Sequence, residues 1–234
     1  MFKIIDIFSG WINEKGLIEP PEKYWNFFDW SYGLNNIDYN GKITSLLNFF
    51  YISAVKDCFE LVGEAEIRVE KEKYLKLLEN VKIGTEKYLK HGNYFIDSAG
   101  GISSQLAHAL VFLTGEYEDD IILKALLDKD LLIPEFFFHI FIFEALTKLG
   151  KADEVLKRIR KYWGKNVMTG TPTIWEAGIH AEGKKAFREA GSLCHGFARV
   201  PIDFLQTTIL GIYPLKAGFK EFKSDNRSFI NNFQ

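Results

Sequence analysis

Pro134-Glu135-Phe136-Phe137-Phe138-His139-Ile140-Phe141-Ile142-Phe143-Glu144-Ala145-Leu146-Thr147-Lys148-Leu149-Gly150 is the stretch that decides the fold. A helix drawn over 134–149 is apolar nearly all round, and such a helix must be buried on several sides. The segment that follows, 152–163, reads differently. It has a single apolar stripe at Val155, Leu156, Ile159 and Trp163, and its other face carries Asp153, Glu154, Lys157, Arg158, Arg160 and Lys161. An inner helix is followed by an outer one. Working outward, 42–62 and 67–90 repeat this contrast, and 101–114 with 119–129 repeat it more weakly. Helices are also expected over 2–14 and 194–210. The reading is all-α, an (α/α) helical-hairpin toroid over 1–215 with an extended C-terminal tail over 216–234. In that tail Lys216 to Lys223 forms one short strand or an extended segment, and no strong strand is expected before it.

Glycine punctuates the inner helices at Leu61-Val62-Gly63, Leu113-Thr114-Gly115, Leu149-Gly150 and Leu210-Gly211. A glycine just past a helix end takes the left-handed cap conformation without a Cβ clash. Acids follow the first three, at Glu66, Glu118 with Asp119, and Asp153 with Glu154, where they favour a new helix N-terminus. The inner-to-outer turns are therefore short. The outer-to-inner connections run over 16–41, 91–101, 129–134 and 164–193. Three of the four are long and rich in aromatics, carboxylates and glycine. With alternating helices all four fall at one end, which predicts a single functional face.

Composition narrows the function. The chain has 234 residues, 47% of them hydrophobic, enough for one sizeable core. The formal net charge of -2 gives no electrostatic pull toward nucleic acid or an anionic membrane. The most apolar segment, 131–143, is interrupted by Pro134, Glu135 and His139 and is too short to span a bilayer. Two cysteines, Cys58 and Cys194, supply neither a disulfide framework nor a zinc quartet, and the expected compartment is the cytoplasm. The N-terminus lacks the pattern of a cleaved signal peptide. No metal-binding, nucleotide-binding or other cofactor signature occurs, so no cofactor is expected.

Two loops carry the candidate chemistry. Thr169-Gly170-Thr171-Pro172-Thr173-Ile174-Trp175-Glu176-Ala177-Gly178 sets a carboxylate beside an indole in a Gly/Thr loop. Glu176 suits a general base there, while Trp175 limits water access or stacks on a sugar face. The alternative is an ordinary loop acid paired with Lys165 or Lys184. Downstream, Gly191-Ser192-Leu193-Cys194-His195-Gly196-Phe197 opens the last inner helix. His195 there fits a hydrogen-bond donor into a cavity better than half of a Cys194–His195 dyad, since adjacent residues rarely face one another. The second loop is Tyr24-Trp25-Asn26-Phe27-Phe28-Asp29-Trp30-Ser31. Rings at that density are either packed or bind a flat ligand. Asp29 is a cap, an acceptor for sugar hydroxyls, or an acid.

At these loops the chain resembles the catalytic domain of α-L-rhamnosidases, within the six-hairpin glycosidases. The matching stretches are Trp25-Asn26-Phe27-Phe28-Asp29-Trp30, Ser104-Gln105, Thr173-Ile174-Trp175-Glu176, Gly191-Ser192-Leu193-Cys194-His195-Gly196, and Leu210-Gly211-Ile212 to Gly218-Phe219-Lys220-Glu221-Phe222. The resemblance implies inverting hydrolysis of a terminal α-L-rhamnosyl or related sugar. Inversion uses an acid and a base about 6.5–9.5 Å apart. It implies Glu176 as the base, His195 on sugar hydroxyls, and Trp25, Asp29, Trp30 and Trp175 lining the sugar pocket. Ala177-Gly178 departs from the family, which has another aromatic soon after Trp-Glu. The family's general acid lies upstream of these motifs, and the helices expected here are fewer than a closed six-hairpin barrel holds. The expectation is an incomplete toroid, finished by a second polypeptide or a homo-oligomer. Two other readings stand beside it: a non-catalytic carbohydrate-binding remnant, and a helical interaction scaffold.

Overall fold

The computed structural model describes residues 2–31, 34, 43–64, 71–96, 103–115, 119–179 and 191–224. The chain forms two compact units, 1–134 and 135–234. The described residues are mostly helical, with two small two-stranded sheets and no closed sheet, which is the all-α class.

In the first unit the helices are α1 (Phe2–Ser9), α2 (Ser45–Glu64), α3 (Lys71–Leu89), α4 (Gln105–Leu113) and α5 (Asp119–Leu127). α2 packs on α1, α3 and α4, and α4 packs on α5. The inner and outer characters are visible in burial. On α2, Leu46, Phe49, Tyr51, Ile52, Val55, Cys58 and Val62 are buried over several faces. On α3 only Tyr74, Leu78, Val81, Gly84 and Thr85 are buried, which is one stripe. Each large apolar side chain in that stripe contributes about 1.5–3 kcal/mol on burial.

α1 stops at Ser9, short of the expected 14. Asn13 ends it, because its side-chain oxygen accepts from the backbone N–H groups of Lys15 and Leu17 at 2.9 and 3.1 Å. Such a side-chain turn competes with helix. Gly16, at φ 75°, then lies against α3, where a Cβ would come within 2.5 Å of the Asn80 carbonyl oxygen. After α3 a short hairpin pairs β1 (Lys90–His91) with β2 (Tyr94–Phe95). It was not expected from the sequence. Its turn is only Gly92-Asn93, with Gly92 at φ 61°, the first-position glycine of a tight two-residue hairpin.

The second unit begins with Glu135. The inner helix α6 (His139–Lys148) starts later than 134, because Phe136–Phe138 form a tighter turn with i to i+3 bonds. Ile142, Phe143, Ala145 and Leu146 have no accessible surface. α6 ends as the sequence predicts. Gly150 at φ 70° donates to the Thr147 carbonyl, and Lys151 donates to Leu146. That paired closure satisfies two carbonyls that have no partner inside the helix. Gly115 and Gly211 also take positive φ. Gly63 does not, because α2 runs through it to Glu64.

The outer helix α7 (Ala152–Tyr162) buries Val155 and Tyr162 and exposes Asp153, Lys157, Arg160 and Lys161. Arg158 departs from the expected polar face. It is buried and its Nε lies 3.1 Å from Glu154. A short α8 (Gly164–Met168) follows. The expected helix over 194–210 is instead a 3₁₀ turn at Gly196–Arg199, α9 (Val200–Phe204) and a π turn at Leu205–Ile209. Pro201 explains the late start of α9, since it suits a first helical turn and cannot sit deeper. β3 (Ile212–Pro214) then pairs antiparallel with β4 (Phe222–Ser224), so 216–223 forms the turn and return strand of a hairpin. Among the described residues no helix is long and apolar enough to cross a membrane.

Candidate functional site

The polar centre of the second unit is built by two loop segments lying side by side. The His195 N–H donates to the Ile174 carbonyl at 2.9 Å, and the Glu176 N–H donates to the Ser192 carbonyl at 2.9 Å. The Thr173 hydroxyl adds a bond to the Leu193 carbonyl at 2.5 Å. The Trp-Glu and Cys-His motifs are thereby held in register, although 20 residues separate Thr173 from Leu193.

Register sets the side chains. Oε2 of Glu176 accepts from the Ser192 N–H at 3.0 Å. Its Oε1 lies 4.0 Å from Nε2 of His195, and both side chains are about a quarter exposed (26% and 28%). Nδ1 of His195 accepts from the Phe197 N–H at 3.3 Å. With Nδ1 used as acceptor, a neutral ring carries its proton on Nε2, toward Glu176. A separation of 4.0 Å is beyond a hydrogen bond, yet one ligand hydroxyl about 2.8 Å from each atom would bridge the two. The pair therefore offers an acceptor and a donor to the same group. Gly191 is required beside it. At φ 62° its backbone is left-handed, and a Cβ would sit 3.0 Å from the Glu176 carboxylate.

Trp175 does not share this exposure. It is buried at 1%, so its ring packs beneath the loop and has no face to offer a sugar in this conformation. Alternation along an extended segment explains the difference: Trp175 points inward and Glu176 outward. Cys194 is exposed, and Cys58 is buried. Lys165 donates its ammonium to the Ile179 carbonyl at 2.9 Å. Lys184 lies outside the described residues.

In the first unit the aromatic loop divides in the same way. Trp25 and Trp30 are 57% and 49% exposed. With Phe27 they form a ring cluster, centroids 4.7 Å apart for Trp25–Phe27 and 4.9 Å for Phe27–Trp30. Phe28 turns inward and stacks on Phe50 of α2. Asp29 also turns inward and is buried. Its Oδ1 accepts from the Ser31 N–H at 2.8 Å and the Ser31 hydroxyl at 3.1 Å. This geometry makes Asp29 the acceptor of a local turn around Trp30, a use not among the readings the sequence leaves open for it.

A further carboxylate, ahead of α6, reaches the end of the Trp-Glu segment. Glu135 is buried, and its Oε2 accepts from the Ile179 N–H at 2.9 Å. Its signal in the sequence is an acid at the head of an otherwise apolar run, since a buried charge needs a designated partner. Among the described residues no group of three or more His, Cys, Asp or Glu is arranged to hold a metal ion.

No family profile matches the chain, and no curated protein does. Solved structures do. The GH78 family rhamnosidase of Bacillus sp. GL1 superposes with a TM-score of 0.80 at 22% identity, over 93% of this chain and 24% of that one. The rhamnosidase from Klebsiella oxytoca, solved with rhamnose bound, superposes with a TM-score of 0.69 at 18% identity, over 88% of this chain and 40% of that one. The chain thus has an α-L-rhamnosidase-like fold and spans well under half the length of either protein.

Proposed function

We propose that this chain is the base-bearing part of a glycoside hydrolase of the α-L-rhamnosidase kind, acting on terminal rhamnosyl or related sugars with inversion. The observation that carries the reading is the Glu176–His195 pair, a carboxylate and an imidazole held 4.0 Å apart at a partly exposed loop. The rhamnosidase-like fold supports it. Glu176, oriented by the Ser192 amide, activates the attacking water. His195 donates to a sugar hydroxyl. Trp25 and Trp30 offer ring faces of the kind sugars stack on. The general acid is not among the motifs that carry the resemblance. The proposal assigns it to a second polypeptide or to another copy of this chain. The cytoplasm is the proposed compartment, in keeping with two free cysteines.

Calorimetry with L-rhamnose and hydrolysis of an aryl α-L-rhamnoside test this. Glu176→Gln keeps sugar binding and lowers turnover by about 10²–10⁴-fold, the usual worth of a general base. Nuclear magnetic resonance of the fresh product shows the inverted anomer. A retained anomer, or full activity in Glu176→Gln, overturns the proposal. A second reading, carbohydrate binding without turnover, is favoured by one observation: Trp25 and Trp30 are exposed while Asp29 is taken up by Ser31. L-rhamnose binding with no hydrolysis, alone or with added partners, selects it. Failure to bind the sugar at millimolar concentration removes both.

A further inference from the structure

Ile179 is held from both sides by charged groups that the proposed reaction does not use. Its N–H donates to the Glu135 carboxylate at 2.9 Å, and its carbonyl accepts from the Lys165 ammonium at 2.9 Å. Ile179 itself is buried at 1%, and Glu135 is buried too. Only Ala177 and Gly178 separate it from Glu176, and Gly178 turns through φ 104°. The two charges come from different places, Glu135 just ahead of the inner helix α6 and Lys165 on α8. The Glu135 carboxylate lies in the interior beside a buried segment. Desolvating one is costly, and the site tolerates it only where the hydrogen bonds formed are well aligned.

We propose that Glu135 and Lys165 are positioning residues that clamp the Ile179 peptide and thereby aim the Glu176 carboxylate at His195. Glu135 is buried and its Oε2 is committed to the Ile179 N–H, so its part in the proposal is to hold that peptide. Glu176 has its own fixed reference in the Ser192 amide, on the partner segment. The clamp sets one side of the site and the Ser192 bond sets the other, so releasing the clamp alters the second bond as well. The clamp bears on catalysis only through the role proposed for Glu176, but its effect on the carboxylate is measurable without sugar.

The test is amide hydrogen exchange and side-chain resonance on the full chain. Glu135→Ala speeds exchange at Ile179 by about tenfold or more, as expected for loss of a hydrogen bond to a charged group. It also moves the Ser192 amide and His195 ring-nitrogen resonances in the direction that Glu176→Gln moves them. Glu135→Gln, which retains an acceptor, restores both toward wild type. Lys165→Met gives the same pattern from the carbonyl side, and decides the matter if Glu135→Ala does not fold. Faster exchange at Ile179 with unmoved Ser192 and His195 resonances reduces the clamp to a stability element and overturns the proposal. Loss of sugar binding or turnover in Glu176→Gln alone bears on the catalytic reading, and leaves the clamp standing or falling on the resonances.

Discussion

Trp163 shows how one side chain ties the second unit together. Its Nε1 donates to the Ala198 carbonyl at 2.7 Å, and its ring meets Phe136, His139 and Phe143. Trp163→Phe leaves the buried Ala198 carbonyl without that donor, and the unmet acceptor alone costs about 1–3 kcal/mol. Urea unfolding reads this directly, and an unchanged midpoint would contradict it. In the first unit His108 is buried as a neutral ring. Its Nδ1 lies 2.8 Å from the Ser104 carbonyl and its Nε2 accepts from the Phe95 N–H. Burial holds its pKa below the ordinary histidine value of 6.5. The unfolded chain therefore takes up this proton at a higher pH than the folded one. The stability tied to the neutral ring is present above pH 6.5 and is lost as pH falls from there through the folded pKa. His108→Gln should flatten the pH dependence of the urea midpoint below that value. An equally steep fall in the variant would place the effect elsewhere.

Glycine and caps matter more at the scale of the element. Gly84 lies in the middle of α3, where alanine would ordinarily favour helix by about 1 kcal/mol. Here a Cβ would run into the Lys15 carbonyl and come within 2.9 Å of the Gly16 backbone. Gly84→Ala is therefore expected to lower the melting temperature despite its helix propensity, and a rise would show that the 13–17 loop yields easily. Ser104 starts α4, its hydroxyl accepting from the Ala107 N–H at 3.0 Å. It is fully buried, so water cannot replace it, and Ser104→Ala should cost about 1–2 kcal/mol in chemical denaturation. The Ser104-Gln105 pair drew notice through a family resemblance. The structure gives both residues local work, since Gln105 also donates to the Asp128 carbonyl.

At the scale of the whole molecule, helix identity and order were legible because inner and outer helices differ in how many faces are apolar. The all-round apolar run at 136–146 and the stripe at 155–163 need no partner sequence to be told apart. The ends of elements were less legible. Asn13 cut α1 short and the Phe136–Phe138 turn delayed α6, both through local bonds that periodicity does not report. The candidate site divides similarly. The sequence names Glu176 and His195 as candidates and the fold brings the two side by side, while Trp175 and Asp29, named with them, are buried. Loop alternation decides which of two neighbours faces out, and composition is silent on it. Sugar chemistry at Glu176 is the proposal that belongs at this scale, and the turnover of Glu176→Gln checks it.

The sequence by itself determined the all-α class, the alternation of helices, the glycine closures at 115, 150 and 211, and the two motifs that meet in the second unit. The reason is that burial periodicity and left-handed caps are written in consecutive residues. Only tertiary structure decided that Glu176 and His195 face each other, that Arg158 is buried, and that Glu135 reaches the Ile179 amide 44 residues away. Those outcomes depend on register between distant segments. A polar side chain's role follows from which backbone group is placed opposite it, and that placement is a property of the packed chain.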